Sequence, residues 1–365
     1  MLTLLLAILL QHPAGLPSPQ RIWEAQLPSR AFSLAIAPGG TCTAVLLQTS
    51  AEVRNEAGQR VWAQPVAVDP QDAGWSRIAV STQCDWTATS VNRTGRPPVL
   101  YVFGKDGSRA ILTLDGMLGL QPNGTNVSSL AISPDGKLLA VGFEGGHVWI
   151  LGKNGVLQHR LGPFSVPQID AAFTADSKRL LMKGWFATGV LDFNGEWLWQ
   201  SSARNLAASD SLSVFATLTA PMHGPQGGEV SIVDSAGRTV WSEVAWNARM
   251  AIAPDGTFVA LSTSGSKPQH RGPSAVPELM DAPEVWLRDR SGNVLAHRSF
   301  KGNVVGVSAD SRCIVLQAET DLVGVNRELK EVWRMRNAKA PQFQGSIILE
   351  NLGNSLRASS VPACK

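Results

Sequence analysis

The chain has 365 residues, 44% of them hydrophobic and 17% charged, a balance that buries a large core and excludes a disordered chain. Its 34 Gly and 22 Pro require frequent turns. A formal net charge of +3, with no dense Lys/Arg stripe, argues against electrostatic capture of nucleic acid.

Residues 1–18 contain an apolar run from Leu2 to Leu10, followed by polar sequence with Pro and Gly. The run is too short to cross a bilayer, which takes about 20 residues, and it suits the apolar core of a secretory signal. No Lys or Arg precedes it, and Ala14 and Ser18 are both acceptable cleavage ends, so the boundary at residue 18 is approximate. A buried first strand or helix is the alternative. No Cys follows closely, so no lipid-anchored cysteine is expected. Residues 19–365 are expected to form one secreted or periplasmic domain.

A pattern then recurs at a spacing of about 40 residues. Its first strand and turn appear as SLAIAPGG (33–40), RIAVSTQC (77–84), SLAISPDG (129–136), DAAFTADS (170–177), RNLAASDS (204–211), RMAIAPDG (249–256) and VVGVSADS (304–311). A β-rich second run follows each, such as LLAVGF or CIVLQA. A third run ends in a polar turn, as in WILGKNG or SIVDSAGR, and a fourth is typified by RVWAQ, WLWQS, TVWSE and EVWRM. Four short strands per unit with turn chemistry between them predict an all-β propeller of four-stranded blades. Continuous apolar pieces such as LLAV suit inner strands covered on both faces.

Seven units run from about Phe32 to Trp333, and sequence is left at both ends. RIWEAQ near the N-terminus matches a fourth strand, and APQFQGSIILENLGNSLRASS supplies a first, second and third. Joined, they predict an eighth blade that closes the ring and leaves no large free edge. Seven blades, with the C-terminal segment packed outside, is the alternative.

In the fourth strand, Gly is followed four residues later by Trp at Gly58 and Trp62, Gly195 and Trp199, and Gly237 and Trp241; Trp23 and Trp333 hold the same place without the Gly. On these residues the chain resembles the WD-repeat-like and pyrroloquinoline-quinone-like propeller repeats, over essentially all of residues 19–365. The resemblance implies that Trp23, Trp62, Trp199, Trp241 and Trp333 dock between blades, where a large flat side chain joins neighbouring sheets. Quinoprotein enzymes need adjacent cysteines and a calcium held by acidic and amide side chains. Here Cys42, Cys84, Cys313 and Cys364 are far apart and no matching acidic cluster occurs. The resemblance is thus to the non-catalytic branch, with no cofactor and no metal expected.

Four cysteines allow three connectivities. In a propeller, Cys42 and Cys313 begin second strands, Cys84 lies in the turn before one, and Cys364 follows the third strand of the closing blade. All four then fall on one rim, the bottom. Cys42–Cys84 and Cys313–Cys364 are the favoured pairs; a Cys42–Cys364 pair would strand the other two, and free thiols are the remaining alternative. Paired cysteines fit an oxidising compartment.

Loop lengths separate the two faces. Bottom connections such as SPDG, APDG, GKNG and DSAG are tight, whereas top connections are uneven: SVNRTGRPP, TAPMHGPQGG, SGSKPQHRGPSAVPELMDAP, PVAVDPQDAGW and DGMLGLQPNGTN. Irregular loops on a rigid scaffold commonly carry binding. The top-face candidates are Trp185, Met222, His223, His270, Arg271 and Asp281, with Pro225 and Pro273 as further apolar contacts. His147, His223 and His270 have no ligand-like spacing, and solvated or hydrogen-bonded histidine is their plain reading. Glu278, Asp281 and Asp321 are the acidic residues there. Asn92, Asn123 and Asn126 open glycosylation sequons, meaningful only in a glycosylating host. The expectation is a monomeric, exported, non-catalytic scaffold for a protein or peptide partner, without a membrane span. The alternative is a secreted hydrolase or lyase working on a sugar polymer or small ester at the central mouth.

Overall fold

The computed structural model describes residues 17–37, 40–114, 126–164, 169–184, 187–219, 228–245, 248–263, 283–339 and 341–364. These form eight four-stranded antiparallel sheets arranged as the blades of a β-propeller. In blade one the strands are Ser33–Ile36, Cys42–Leu46, Ser50–Asn55 and Arg60–Pro65, in that order from the axis outward. Blades two to seven repeat the order over residues 77–113, 127–161, 170–201, 205–245, 249–299 and 303–335.

Burial follows position within the blade. The second and third strands are covered on both faces by neighbouring blades, as in Leu138–Phe143 and Val148–Gly152, so they read as unbroken apolar runs. The outer strand is half exposed and alternates, as in Arg60–Pro65.

Both termini build blade eight. Pro341–Gln344, Ile347–Asn351 and Ser355–Ser360 come from the C-terminal end, and Gln20–Gln26 adds the outer strand. Register runs from Gln20 opposite Ser360 to Gln26 opposite Ser355. The ring therefore closes with eight blades, and the seven-bladed alternative is set aside.

The bottom turns share one mechanism. Ser133 Oγ donates to Asp135 Oδ1 at 2.6 Å and accepts the Leu138 amide at 2.9 Å, fixing the turn from within. Thr174 with Asp176 and Ser308 with Asp310 repeat it. The turns also link round the ring. The Asp135 amide donates to Ser177 Oγ of the next blade at 3.0 Å, and the Asp255 amide to Ser311 Oγ at 3.3 Å. Ser177 (φ 58°) and Ser311 (φ 57°) occupy the left-handed position that Gly136 and Gly256 hold in the turns before them. A serine is kept there, against the steric preference for glycine, where its hydroxyl receives the preceding blade.

On the outside, Trp23, Trp199 and Trp241 are each received by a glycine of the following blade. A Cβ on Gly58 would clash with Trp23, one on Gly237 would lie 2.5 Å from Trp199, and one on Gly292 would clash with Trp241. At these three positions the glycine that receives a tryptophan belongs to the next blade, and after Gly58 and Gly237 the Trp four residues on goes to the blade beyond. Arg288 lies over the Trp241 ring, 4.2 Å from its centroid, and donates to the Gly292 carbonyl, which fixes both partners.

Two blade junctions are covalent. Cys42–Cys84 joins blades one and two, with Cα atoms 6.1 Å apart, and Cys313–Cys364 ties the C-terminal tail to blade seven, at 5.2 Å. Trp62 Nε1 donates to the Cys84 carbonyl at 3.0 Å. Trp333 is fully buried with Nε1 3.3 Å from Cys313 Sγ. Blade eight takes its third and fourth strands from opposite ends of the chain, so no turn joins them to receive Trp333, whose indole packs instead on Gly324 of its own blade and against the disulfide.

Candidate functional site

Trp185, Met222, His223, His270, Arg271 and Asp281 lie outside the described residues, as do Pro225, Pro273 and Glu278. Among the described residues, the loop face carries a depression at blades two to four, another at blade seven, and the buried side chains of His147 and Asn92.

The larger depression, about 420 Å³, opens at the loop-face ends of the inner strands of blades two, three and four. Its wall includes Trp75, Arg77, Ser128, Glu144, Ile169 and Asp170. Trp75 ends the short 3-10 turn Ala73–Trp75, closed by its amide donating to the Asp72 carbonyl at 3.2 Å. Arg77 is fixed by bonds from Nε to the Ser128 carbonyl (3.2 Å) and from Nη1 to those of Ser76 (3.0 Å) and Gly74 (3.3 Å).

Asn92 is the hub beneath this region. It is buried, its Nδ2 donates to the carbonyls of Trp75 (2.7 Å) and Val127 (2.9 Å), and its Oδ1 accepts the Val127 amide (3.0 Å). Its sequon is therefore committed inside the fold. Asn126 Nδ2 is bonded to Glu144 at 3.0 Å, and Asn123 lies outside the described residues.

The smaller depression, about 320 Å³, lies on blade seven beside Phe300, Lys301, Glu319, Asp321 and Arg334. Asp321 is held below the usual carboxylate range, first by the Asn337 amide and then by Arg334. Arg334 also pairs with Glu331 at 2.7 Å, and these partners raise its pKa. The carboxylate is thus engaged in a structural ion pair.

His147 occupies the tight top turn of blade three. It is only 4% exposed, and both ring nitrogens lack a hydrogen-bond partner among the described residues. Burial, and secondarily the charge of Arg160, push its pKa down, so the ring is held neutral. Among the described residues no cluster of His, Cys, Asp or Glu is placed to hold a metal, and no helix is long and apolar enough to cross a membrane.

The sequence marked PVAVDPQDAGW as a top connection but did not single out Trp75 or Arg77. The signal was a tryptophan with no place in the outer-strand pattern.

No family model and no curated protein matches the sequence. Solved structures do match in fold. The C-terminal WD40 domain of Sif2 superposes with a TM-score of 0.65 at 11% identity, over 96% of this chain and 100% of that one. Sqt1 from Saccharomyces cerevisiae gives 0.62 at 10%, over 95% and 100%. BamB from Moraxella catarrhalis gives 0.59 at 12%, over 94% and 99%. Over nearly its whole length, the chain is similar in fold to WD40 and BamB-like propellers.

Proposed function

We propose that this chain is an exported, monomeric, non-catalytic scaffold that docks a protein or peptide partner through its loop face. The observation that carries the reading is the contrast between faces. Bottom turns are short, internally bonded and linked blade to blade, whereas the ends of the strands on the opposite face are joined by the long, irregular stretches of the sequence and border the depressions of about 420 and 320 Å³. A rigid ring that concentrates variable loops on one side is suited to presenting a binding surface.

On this reading Trp185, Met222, His223, His270, Arg271 and Asp281 supply contacts, with aromatic and Met anchors inside a polar rim. Export is supported by the apolar run at residues 2–10 and by two disulfides, which persist in oxidising compartments.

The test places a photo-crosslinking amino acid at His270 on the loop face or at Asn154 in a bottom turn, in cells that export the chain. Adducts from position 270 and none from 154 are expected, and deletion of residues 265–283 abolishes the partner without unfolding the ring. Adducts from 154 alone would overturn the reading.

A further inference from the structure

Trp75 stands apart from every other large exposed apolar side chain in the described residues. The others are aliphatic and most lie on outer strands, whereas Trp75 is aromatic, 56% exposed, and forms the wall of the 420 Å³ depression at the loop-face rim. A cleft of that size is in the range that holds small ligands, about 300–1,000 Å³. The backbone that carries the indole is held at three points: by the Asp72 carbonyl, by buried Asn92 at the Trp75 carbonyl, and by Arg77 at the carbonyls of Gly74 and Ser76. An exposed aromatic on a fixed backbone loses little entropy when a ligand stacks on it.

The charges around it discriminate between ligand classes. Glu144 and Asp170 are negative, and Arg77 is positive. Lys183, 3.4 Å from Asp170, adds a second positive charge. The set balances, so the rim selects neither a cation nor an anion. It offers hydrogen-bond donors and acceptors side by side next to one flat apolar face. Asn126 takes Glu144 Oε2, and Oε1 makes no bond among the described residues. Arg77 keeps Nη2 without a bond among the same residues.

We propose that this depression binds a neutral pyranose unit of an oligosaccharide. A pyranose has one face of C–H groups, which stacks on an indole, and a rim of hydroxyls that each donate and accept. Trp75 takes the ring face, and Glu144, Asp170 and Arg77 take the hydroxyls. This is separate from the docking of a protein partner by the long loops, and either can fail alone.

The test uses the full exported chain labelled with 5-fluorotryptophan, with the Trp75 resonance identified by its loss in Trp75→Phe. The probes are cellotriose, maltotriose, xylotriose and triacetylchitotriose, all neutral, with pentalysine and pentaglutamate as charged controls. At least one trisaccharide is expected to shift the Trp75 resonance saturably at millimolar concentration, with the other tryptophans unmoved. By calorimetry, Trp75→Ala should weaken that binding about tenfold, and Glu144→Gln should weaken it while the Trp75 shift persists. The proposal is overturned if no trisaccharide moves Trp75, if only a charged peptide does, or if Trp75→Ala binds as tightly as the parent.

Discussion

Trp199 of blade four lies on Gly237 of blade five so closely that a Cβ there would sit 2.5 Å from the tryptophan's own Cβ. Gly237 also has φ +79°, which disfavours any other residue. Gly107 has a similar φ of +85° but no neighbouring atom within 4 Å. The two separate backbone strain from steric seating. Gly107→Ala is expected to cost about 1–2 kcal/mol, the left-handed penalty alone. Gly237→Ala should cost about 2–4 kcal/mol, because an overpacked contact is added. Urea midpoints of the two variants measure the difference; equal losses would show that the Trp199 contact contributes nothing.

The Gly-Trp spacing was visible in the sequence, and so were the blades, because strand length, turn residues and apolar runs are local properties. Which glycine meets which tryptophan was not visible. Gly237 and Trp241 are neighbours in sequence, yet Gly237 receives Trp199 and Trp241 passes to Gly292. Asn92 shows the same limit: a buried latch and an exposed sequon have the same letters, and the distinction lies in Val127, 35 residues away. The long loops proposed to bind a partner were legible only as departures from the repeat, since Gly, Pro and polar residues carry no period that fixes where a side chain goes.

Removing the Cys313–Cys364 pair should loosen the ring at its seam. It closes a 51-residue separation, ties the C-terminal tail to blade seven and lies against the buried Trp333 indole. Loss of a native disulfide costs about 2–5 kcal/mol. For Cys313→Ser/Cys364→Ser, amide exchange is expected to rise in residues 20–26 and 347–360 before the rest of the chain. Cys42→Ser/Cys84→Ser should instead raise exchange at blades one and two. Identical exchange patterns in the two double variants would contradict a distinct seam.

Asn92→Ala removes one side chain that bonds three backbone groups, the Trp75 carbonyl and the Val127 carbonyl and amide. Leaving buried backbone groups unmade costs about 1–3 kcal/mol each, so a loss of at least about 2 kcal/mol is expected. A second consequence concerns modification. Expressed in a glycosylating host, the folded chain should carry no glycan at Asn92, measured by site-resolved mass spectrometry. Substantial occupancy there would mean that Asn92 is not sealed in the fold.

His147 should make the ring less stable as pH falls from neutral. Its folded-state pKa lies below the ordinary value of about 6.5, first through burial and then through the charge of Arg160. Between those two pKa values the unfolded chain binds more protons than the folded one, so stability rises with pH across that window. The stability is fully present above about 6.5 and is lost progressively below it, with a slope of at most about 1.4 kcal/mol per pH unit, ending below the folded pKa. The carboxylates act lower. Asp135, Asp176 and Asp255 have depressed values, opposed by their own desolvation and produced by hydroxyl and amide donors in the bottom turns. Their contribution is present above about 3.9 and is lost as pH falls through the lower folded values. The two windows are therefore separable. His147→Gln should flatten the urea midpoint between pH 7 and pH 5 and leave the acid limb below pH 4 unchanged. A parent midpoint already flat between pH 7 and pH 5 would show that His147 is not held neutral by its burial.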